Sequence, residues 1–594
     1  MWSLLDADGG RSRWVGASAV TWDGPPAGPA LRAVVRIDGQ RVHTWDGLLA
    51  LDGGSLLVRL VKAEAAPTRL EGELAIGRFG AGWHDWRVDG DGTAADHFRL
   101  VAGDDVSVRV DRHRLRLDVP CTPQRWTGFA VAAADPAREG STDAPQRPLH
   151  RVGGTHAVDE LVELMDAAER SEHTAMSSVR LPHHHRARAT DALRVLRVLT
   201  DPATGAPVAS STTSLPEAPG EDRQFDYRFS WLRDSGLAVA TAALLGQSDS
   251  AAKYLSFVGD LLDRYSEHLT PLTTTTGEQV PMEREVPSVA GWAESRPIRI
   301  GNEASGQRQL DSVAVVIEAV SVHVQCGGRM DRGTWSVVAR LADLLADAPF
   351  EPTAGIWEFR EPAYLSSEEL ARWFGLDRAV KLARWYRPWL RRSARVTAWV
   401  CGRDLARARV EAAIDPATGL LPQRLQPSPL SPGAVVVTDA AALIAALTGF
   451  FPADDERAVR LVRGTIASLE QGPFLYRYLP FDDGFRGREG AFVPASWWAV
   501  GALAAIGDVE EAERRADAMC AVLAPLQPEE WDVEAGEGLG NMPLLWSHME
   551  AARALYLLQA ARIRKRYGRI GLGLWRLSRF ARLRLSRTPR SAAP

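Results

Sequence analysis

Cysteine is scarce in this chain, with four in 594 residues. Cys121, Cys326, Cys401 and Cys520 lie far apart, so neither zinc-knuckle nor redox-pair spacing occurs, and each reads as an isolated reduced thiol. Lysine is scarcer than arginine throughout, occurring only at Lys62, Lys253, Lys381 and Lys565. Genomic base composition accounts for that bias without any functional reading. Charge of one sign is also lacking: the formal net charge is -5, which excludes a global polyelectrolyte partner such as nucleic acid. No stretch approaches the roughly 20 apolar residues of a spanning helix. The N-terminus places Asp6 and Asp8 where a signal peptide needs an apolar run. The expectation from these absences is a cytoplasmic protein.

What is present is an ordinary globular balance, 45% hydrophobic and 24% charged. A single core stops growing at roughly 250–300 residues, so this length calls for two large domains. Residues 1–155 read as an antiparallel β-sandwich. Leu31–Ile37, Ser55–Val61, Val106–Val110 and Leu115–Val119 are rich in β-branched residues or alternate apolar with polar, and Gly- and Asp-rich turns separate them. Residues 156–187 read as a linker: Val158–Met165 has helical spacing, and a polar loop with His183, His184 and His185 follows. Three adjacent histidines cannot all face one metal from a regular element, so the loop reads as solvated rather than as a metal site.

From 188 to 563 helical segments alternate with loops rich in Gly and Pro. They fall at 191–199, 235–245, 251–265, 311–324, 334–345, 367–386, 391–414, 440–448, 456–469, 494–506, 509–523 and 545–561. Twelve segments suit six inner and six outer helices, and no repeat of a solenoid length recurs. The expected fold class is therefore α+β multidomain, an N-terminal antiparallel β-sandwich followed by an (α/α)6 barrel. In such a barrel the chemistry sits in the loops at one end.

Three of those loops combine carboxylates with aromatics. Hydrolysis of a glycosidic bond needs an acid for the leaving oxygen and a base for the water, about 6.5–9.5 Å apart when the configuration inverts. The acid needs an apolar setting to stay protonated. Phe225–Gly236 contains Trp231, Arg233 and Asp234 just ahead of a helix, and reads equally as a sugar-hydroxyl clamp or a structural ion pair with a cap. Glu358 stands between Trp357 and Phe359, either as an acid in an aromatic setting or as an exposed loop residue. Glu529 and Glu530 precede Trp531 and Asp532, either as a base or as surface acids. Twenty tryptophans fit stacking on pyranose rings and equally fit bulk in a helical core.

The ordered set of motifs resembles glycoside hydrolase family 15, the glucoamylases with their bacterial trehalase and glucodextranase relatives, from about Leu193 to Ala561. It runs through Thr213–Ala218, Asp226-Tyr227-Arg228, Trp231–Asp234, Ser295-Arg296-Pro297, Ile300-Gly301-Asn302, Gln309-Leu310-Asp311 and Gly355–Glu358. It continues through Leu376–Ala379, Tyr476-Arg477-Tyr478, Glu489–Phe492, Glu529–Asp532, Leu539-Gly540-Asn541 and Ser547-His548. The resemblance implies an exo-acting inverting α-glucosidase that releases β-glucose. Glu358 falls on the general acid and Glu529 on the general base, with Glu530 next to it should the motif slip by one. Arg233 and Asp234 would bind the terminal glucose, Trp231 and Trp357 would wall it, and Arg477 would line it. Neither metal nor organic cofactor is implied; the partner would be an α-glucan or trehalose. The family's bacterial architecture also carries an N-terminal sandwich.

The chain departs from the family pattern in three places. The opening Ser-Ile-Asp-Trp-like segment does not occur in this sequence, so the expectation is either a start placed too late or a sandwich lacking its first strands. Tyr364–Ser367 replaces the usual Phe-Thr-His-Ser, and Ser312-Val313-Ala314 replaces Tyr-Gly-Glu. Barrels of this family also serve as binding modules without hydrolysis, as in phosphorylase kinase regulatory subunits, which is the alternative reading. Finally, residues 564–594 form a basic tail in which Arg interleaves with Leu, Trp and Phe. It suits an anionic membrane surface or an acidic partner, and equally a solubilising tail or a docked helix.

Overall fold

The computed structural model describes the chain apart from residues 1–2, 6–10, 16, 23–29, 38, 52–53, 77–83, 90–91, 97, 135–155, 178, 248, 266–268, 288–289, 426–435, 453, 480–483 and 586–594. It divides into two compact units, Met1–Ser177 and Ser178–Pro594.

The first unit holds thirteen described strands: β1 (Ser3–Leu5), β2 (Arg11–Trp14), β3 (Ala17–Trp22), β4 (Ala30–Ile37), β5 (Gln40–Leu51), β6 (Gly54–Ala63), β7 (Thr68–Ala75), β8 (Arg87–Asp89), β9 (Gly92–Ala95), β10 (Phe98–Ala102), β11 (Ser107–Asp111), β12 (Arg114–Cys121) and β13 (Thr127–Ala134). They form an antiparallel five-stranded sheet, β1-β2-β7-β12-β11, and an antiparallel eight-stranded sheet, β3-β4-β5-β6-β13-β10-β9-β8. Val35, Val42 and Val61 of the larger sheet share one core with Leu70, Leu115 and Leu117 of the smaller. Alternation sends Leu56, Val58 and Leu60 of β6 to the opposite face. There they bury against Ala157, Leu161 and Met165 of helix α1 (Ala157–Ser177). The segment read as a linker helix is therefore the cover of an apolar sheet face, because its i, i+4, i+8 stripe completes that core. The boundary placed at residue 155 lies outside the described residues.

Among the described residues the second unit contains twelve α-helices. These are α2 (Arg186–Leu199), α3 (Leu232–Leu244), α4 (Asp249–Arg264), α5 (Leu310–Gln325), α6 (Arg332–Asp347), α7 (Ser366–Tyr386), α8 (Ala394–Ala413), α9 (Ile444–Thr448), α10 (Glu456–Leu469), α11 (Val493–Ile506), α12 (Val509–Val522) and α13 (Leu545–Leu585). Helices α3, α5, α7, α9, α11 and α13 touch in succession, and α13 returns to α3, closing a ring. Of these, α3, α5 and α11 are apolar or small all round and almost wholly buried, as inner helices must be. The alternate helices α4, α6 and α10 are amphipathic, with one face packed on that core. Gly375 of α7 lets Ala314 of α5 approach so closely that an added Cβ would meet its Cα at 3.1 Å. Several segment ends differ from the sequence expectation, the first helix starting at Arg186 rather than 191. The stretch 391–414 starts only at Ala394, after a 3-10 turn at Pro388–Leu390. The last helix does not stop near 561 but runs to Leu585, interrupted at Gly568, since nothing before that glycine breaks the helical pattern.

Candidate active site

The first turns of α3 and α13 and the loops before α5, α7 and α11 line one cavity. Trp231, Arg233 and Asp234 come from the start of α3, Gln307 from the loop before α5, and Ile356–Arg360 from the loop between α6 and α7. Arg477, Tyr478 and Phe492 precede α11, and Glu529, Leu544 and Trp546 lie at the approach to α13. Helix N-termini carry unpaired N–H groups and a positive dipole end, which suits a site rich in carboxylates.

Glu358 sits at φ +60°, a left-handed conformation rare for a residue with a side chain, following Gly355 at φ +64°. That turn aims the carboxyl at α3. Oε1 accepts from Trp231 Nε1 at 2.8 Å and from Arg233 Nη2 at 3.1 Å. Arg233 is itself held from several sides. Its Nε donates to Asp234 at 3.2 Å, its Nη1 to the Ile356 carbonyl at 3.2 Å, and Asp311 Oδ2 lies 3.6 Å from Nη1. The guanidinium stacks 4.4 Å from the Trp546 ring centre. Burial pushes the Asp234 carboxyl up to about 6 against the opposing pull of Arg233.

Glu529 lines the same cavity and is 3% exposed. Oε1 accepts from the Tyr227 hydroxyl at 2.8 Å, while Oε2 finds no hydrogen-bond donor among the described residues. Burial pushes this carboxyl up to about 7; Tyr227 and Arg477 pull it back. Gly540, at φ +74°, passes so close that an added Cβ would come within 2.6 Å of Glu529 Oε2, so only glycine fits. Glu530 does not line the cavity. It pairs across the strand with Phe492 and accepts from the Gly490 N–H at 2.8 Å, because neighbours on extended backbone point opposite ways.

Arg477 reaches the cavity with its charge spent on Glu489, which also takes Arg223 Nη1 at 2.8 Å. Glu217, Glu489 and Glu530 form a buried cluster with one oxygen of each within 4.8 Å of the others. Burial raises Glu217 and Glu530 well above the usual carboxylate range. The two arginines fill the positive role that a metal ion would take there. The other group of possible metal ligands is His184, His185 and Asp517: both Nε2 atoms lie on Asp517 Oδ1, at 2.8 and 2.7 Å. The histidine loop is thus packed on α12 through Asp517 rather than simply solvated.

Aromatic walls complete the cavity. Trp357 lies against Tyr478, Phe492, Trp498 and Trp546, with ring centres 5.7–6.4 Å away. Its Nε1 donates to Asp439 at 2.8 Å, and Asp439 also caps the following helical turn through the Ala441 N–H at 2.9 Å. Sequence reasoning assigned no part to Tyr227, Glu217, Asp311, Asp439 or Trp546. Tyr227 was within reach, since it lies in the quoted motif two residues before Phe229. Asp439 carried a fainter signal as the single acid in an apolar, alanine-rich run.

One open cavity thus brings together aromatic walls, a buried Arg–Asp pair and the carboxyls of Glu358 and Glu529. Residues 185–388 match the model of glycosyl hydrolases family 15. The chain is similar to trehalases of Mycolicibacterium smegmatis, at 32% identity over 391 residues covering 63% of this chain and 55% of the relative. It is similar also to that of Mycobacterium tuberculosis, at 33% over 388 residues covering 63% and 54%. The chain thus spans about half the length of these curated relatives. A bacterial glucoamylase solved with acarbose superposes with a TM-score of 0.65 at 13% identity, over 92% of this chain and 86% of the other, which shows a shared fold. Residues 185–388 thus resemble glycosyl hydrolases family 15, and the similarity to the trehalases extends over about 390 residues.

Proposed function

We propose that this chain is a glycoside hydrolase that cleaves a terminal α-glucosidic bond with inversion, releasing β-glucose, and that trehalose heads its substrates. The ring of six helices with six packed outside it is read as an (α/α)6 barrel. The observation that carries the reading is the pair of carboxyls on one cavity, each anchored through one oxygen. With Glu358 Oε1 taken by Trp231 and Arg233, Oε2 is left to hold the proton for the leaving oxygen. With Glu529 Oε1 taken by Tyr227, Oε2 is left to accept a proton from water. Water then attacks the anomeric carbon as the bond to the leaving oxygen breaks, in a single displacement. Arg233 and Asp234 clamp hydroxyls of the terminal ring, and Trp357 and Trp546 present it with apolar faces. The similarity to proteins named trehalases supports the choice of trehalose.

The test is glucose release from trehalose, maltose and isomaltose by wild type, Glu358→Gln and Glu529→Gln, with the anomer read by NMR. Losses of about 10²–10⁴-fold are expected for each variant. Initial α-glucose, or activity surviving both changes, would overturn the assignment; no release from any of the three sugars by wild type would favour a binding module.

A further inference from the structure

The end of α13 is not used by the site. At Gly568 the backbone takes φ +69° and ψ -171°, a state that residues with a Cβ rarely adopt, and the helix resumes in a new direction. Up to this break the helix is fastened to its own unit: Arg562 pairs with Glu513 and Lys565 with Glu510. Just beyond it, Arg569 Nη2 reaches Asp454 at 3.1 Å, and Trp575 packs on Tyr556 with ring centres 5.5 Å apart. The opposite side is different. Ile570, Leu574 and Leu577 are 80, 63 and 64% exposed, and their i, i+4, i+7 spacing puts them in one stripe.

That stripe is set in unbalanced positive charge. From Arg562 to Pro594 the sequence has eleven basic residues and no acidic one, in a chain whose formal net charge is -5. Among the described residues, Arg564, Arg566 and Arg576 meet no acidic side chain. Aliphatic side chains need an apolar phase, which nucleic acid does not offer, and an apolar protein groove would have no use for the arginines. An anionic lipid surface supplies both needs, since acyl chains take the stripe and headgroups take the cations. No helix among the described residues is long and apolar enough to cross a membrane, so the segment would lie along the surface.

We propose that residues 569–585 are an interfacial helix that lays the Ile570–Leu574–Leu577 stripe onto an anionic lipid surface. The test is flotation of the full chain with vesicles of phosphatidylcholine alone and of phosphatidylcholine mixed with phosphatidylglycerol. The variants are Ile570→Ser/Leu574→Ser/Leu577→Ser and Arg566→Gln/Arg576→Gln, each checked for unchanged melting. The wild type floats with the mixed vesicles and stays down with phosphatidylcholine alone. The serine variant loses at least about tenfold in bound fraction, and the glutamine variant loses roughly 25-fold at about fivefold per charge. Equal flotation of wild type and the serine variant, or no flotation of wild type, overturns the proposal. So does self-association that the serine variant abolishes without lipid, which would give the face to a second copy. Binding to an RNA oligonucleotide that depends on the arginines but not the stripe, with no flotation, equally overturns it.

Discussion

Trp231 Nε1 and Arg233 Nη2 converge on one oxygen of Glu358, at 2.8 and 3.1 Å. Two residues two apart in sequence reach the same atom because Trp231 is still extended and Arg233 is already in the first turn of α3. This fixes which oxygen of Glu358 is engaged, and so which one the proposed acid would use.

Replacing Trp231 with Phe keeps the buried ring and removes only the donor. The expected result is a fall in kcat of about tenfold, with KM for the substrate changing less than about threefold, since one hydrogen bond to a charged group is worth roughly 1.5–3 kcal/mol. Steady-state kinetics on the preferred sugar would show it. A change confined to KM would mean that Trp231 only walls the cavity.

Tyr227→Phe tests the partner of Glu529, the proposed base. Burial raises the Glu529 carboxyl to about 7, and the Tyr227 hydrogen bond works against that rise. A base acts in its ionised form, so activity should climb with pH through about 7. Without the hydroxyl the ionised form loses a donor, so the rising limb of kcat/KM should move to higher pH, by roughly one unit. A limb that stays in place would show that another group controls it.

The sequence carried the helical count well, because inner and outer helices differ in how much of their surface is apolar, and that difference is periodic. Its motifs name Glu358, Arg233 and Asp234, which the fold brings to one cavity. It could not separate Glu529 from Glu530, since both are acids beside Trp531; only the pairing of Glu530 with Phe492 tells which neighbour faces the cavity. It gave no hint that Glu217, Glu489 and Glu530 meet, because loops more than 250 residues apart bring Glu217 to the other two. The helix α1 was legible as a helix but not as a sheet cover, as its stripe names no partner.

Asp311 and Glu368 offer the sharpest test of a buried charge. Glu368 Oε2 accepts the Leu310 N–H at 2.9 Å, and the Glu368 carboxyl is within hydrogen-bond reach of Asp311, whose Oδ2 lies 3.6 Å from Arg233 Nη1. One proton between the two carboxyls satisfies that arrangement. Burial, and then the charge of Asp311, push Glu368 up to about 8, so it is the group that keeps the proton. The ordinary value is 4.5, so between 4.5 and about 8 the folded chain holds a proton that the unfolded chain has lost. The stability this group contributes is therefore complete below 4.5 and lost as pH rises toward 8. Glu368→Gln places a neutral amide in the same space, able to donate to Asp311 and accept from Leu310, and it cannot titrate. Relative to wild type, its melting temperature should rise between pH 5 and 8 by roughly 2 °C per pH unit and level off above. Its activity at neutral pH should stay within about threefold, since Arg233 still faces the same single charge on Asp311. Melting curves that run parallel across this range would mean that Glu368 is ionised in the fold, and that Asp311 and Glu368 share no proton.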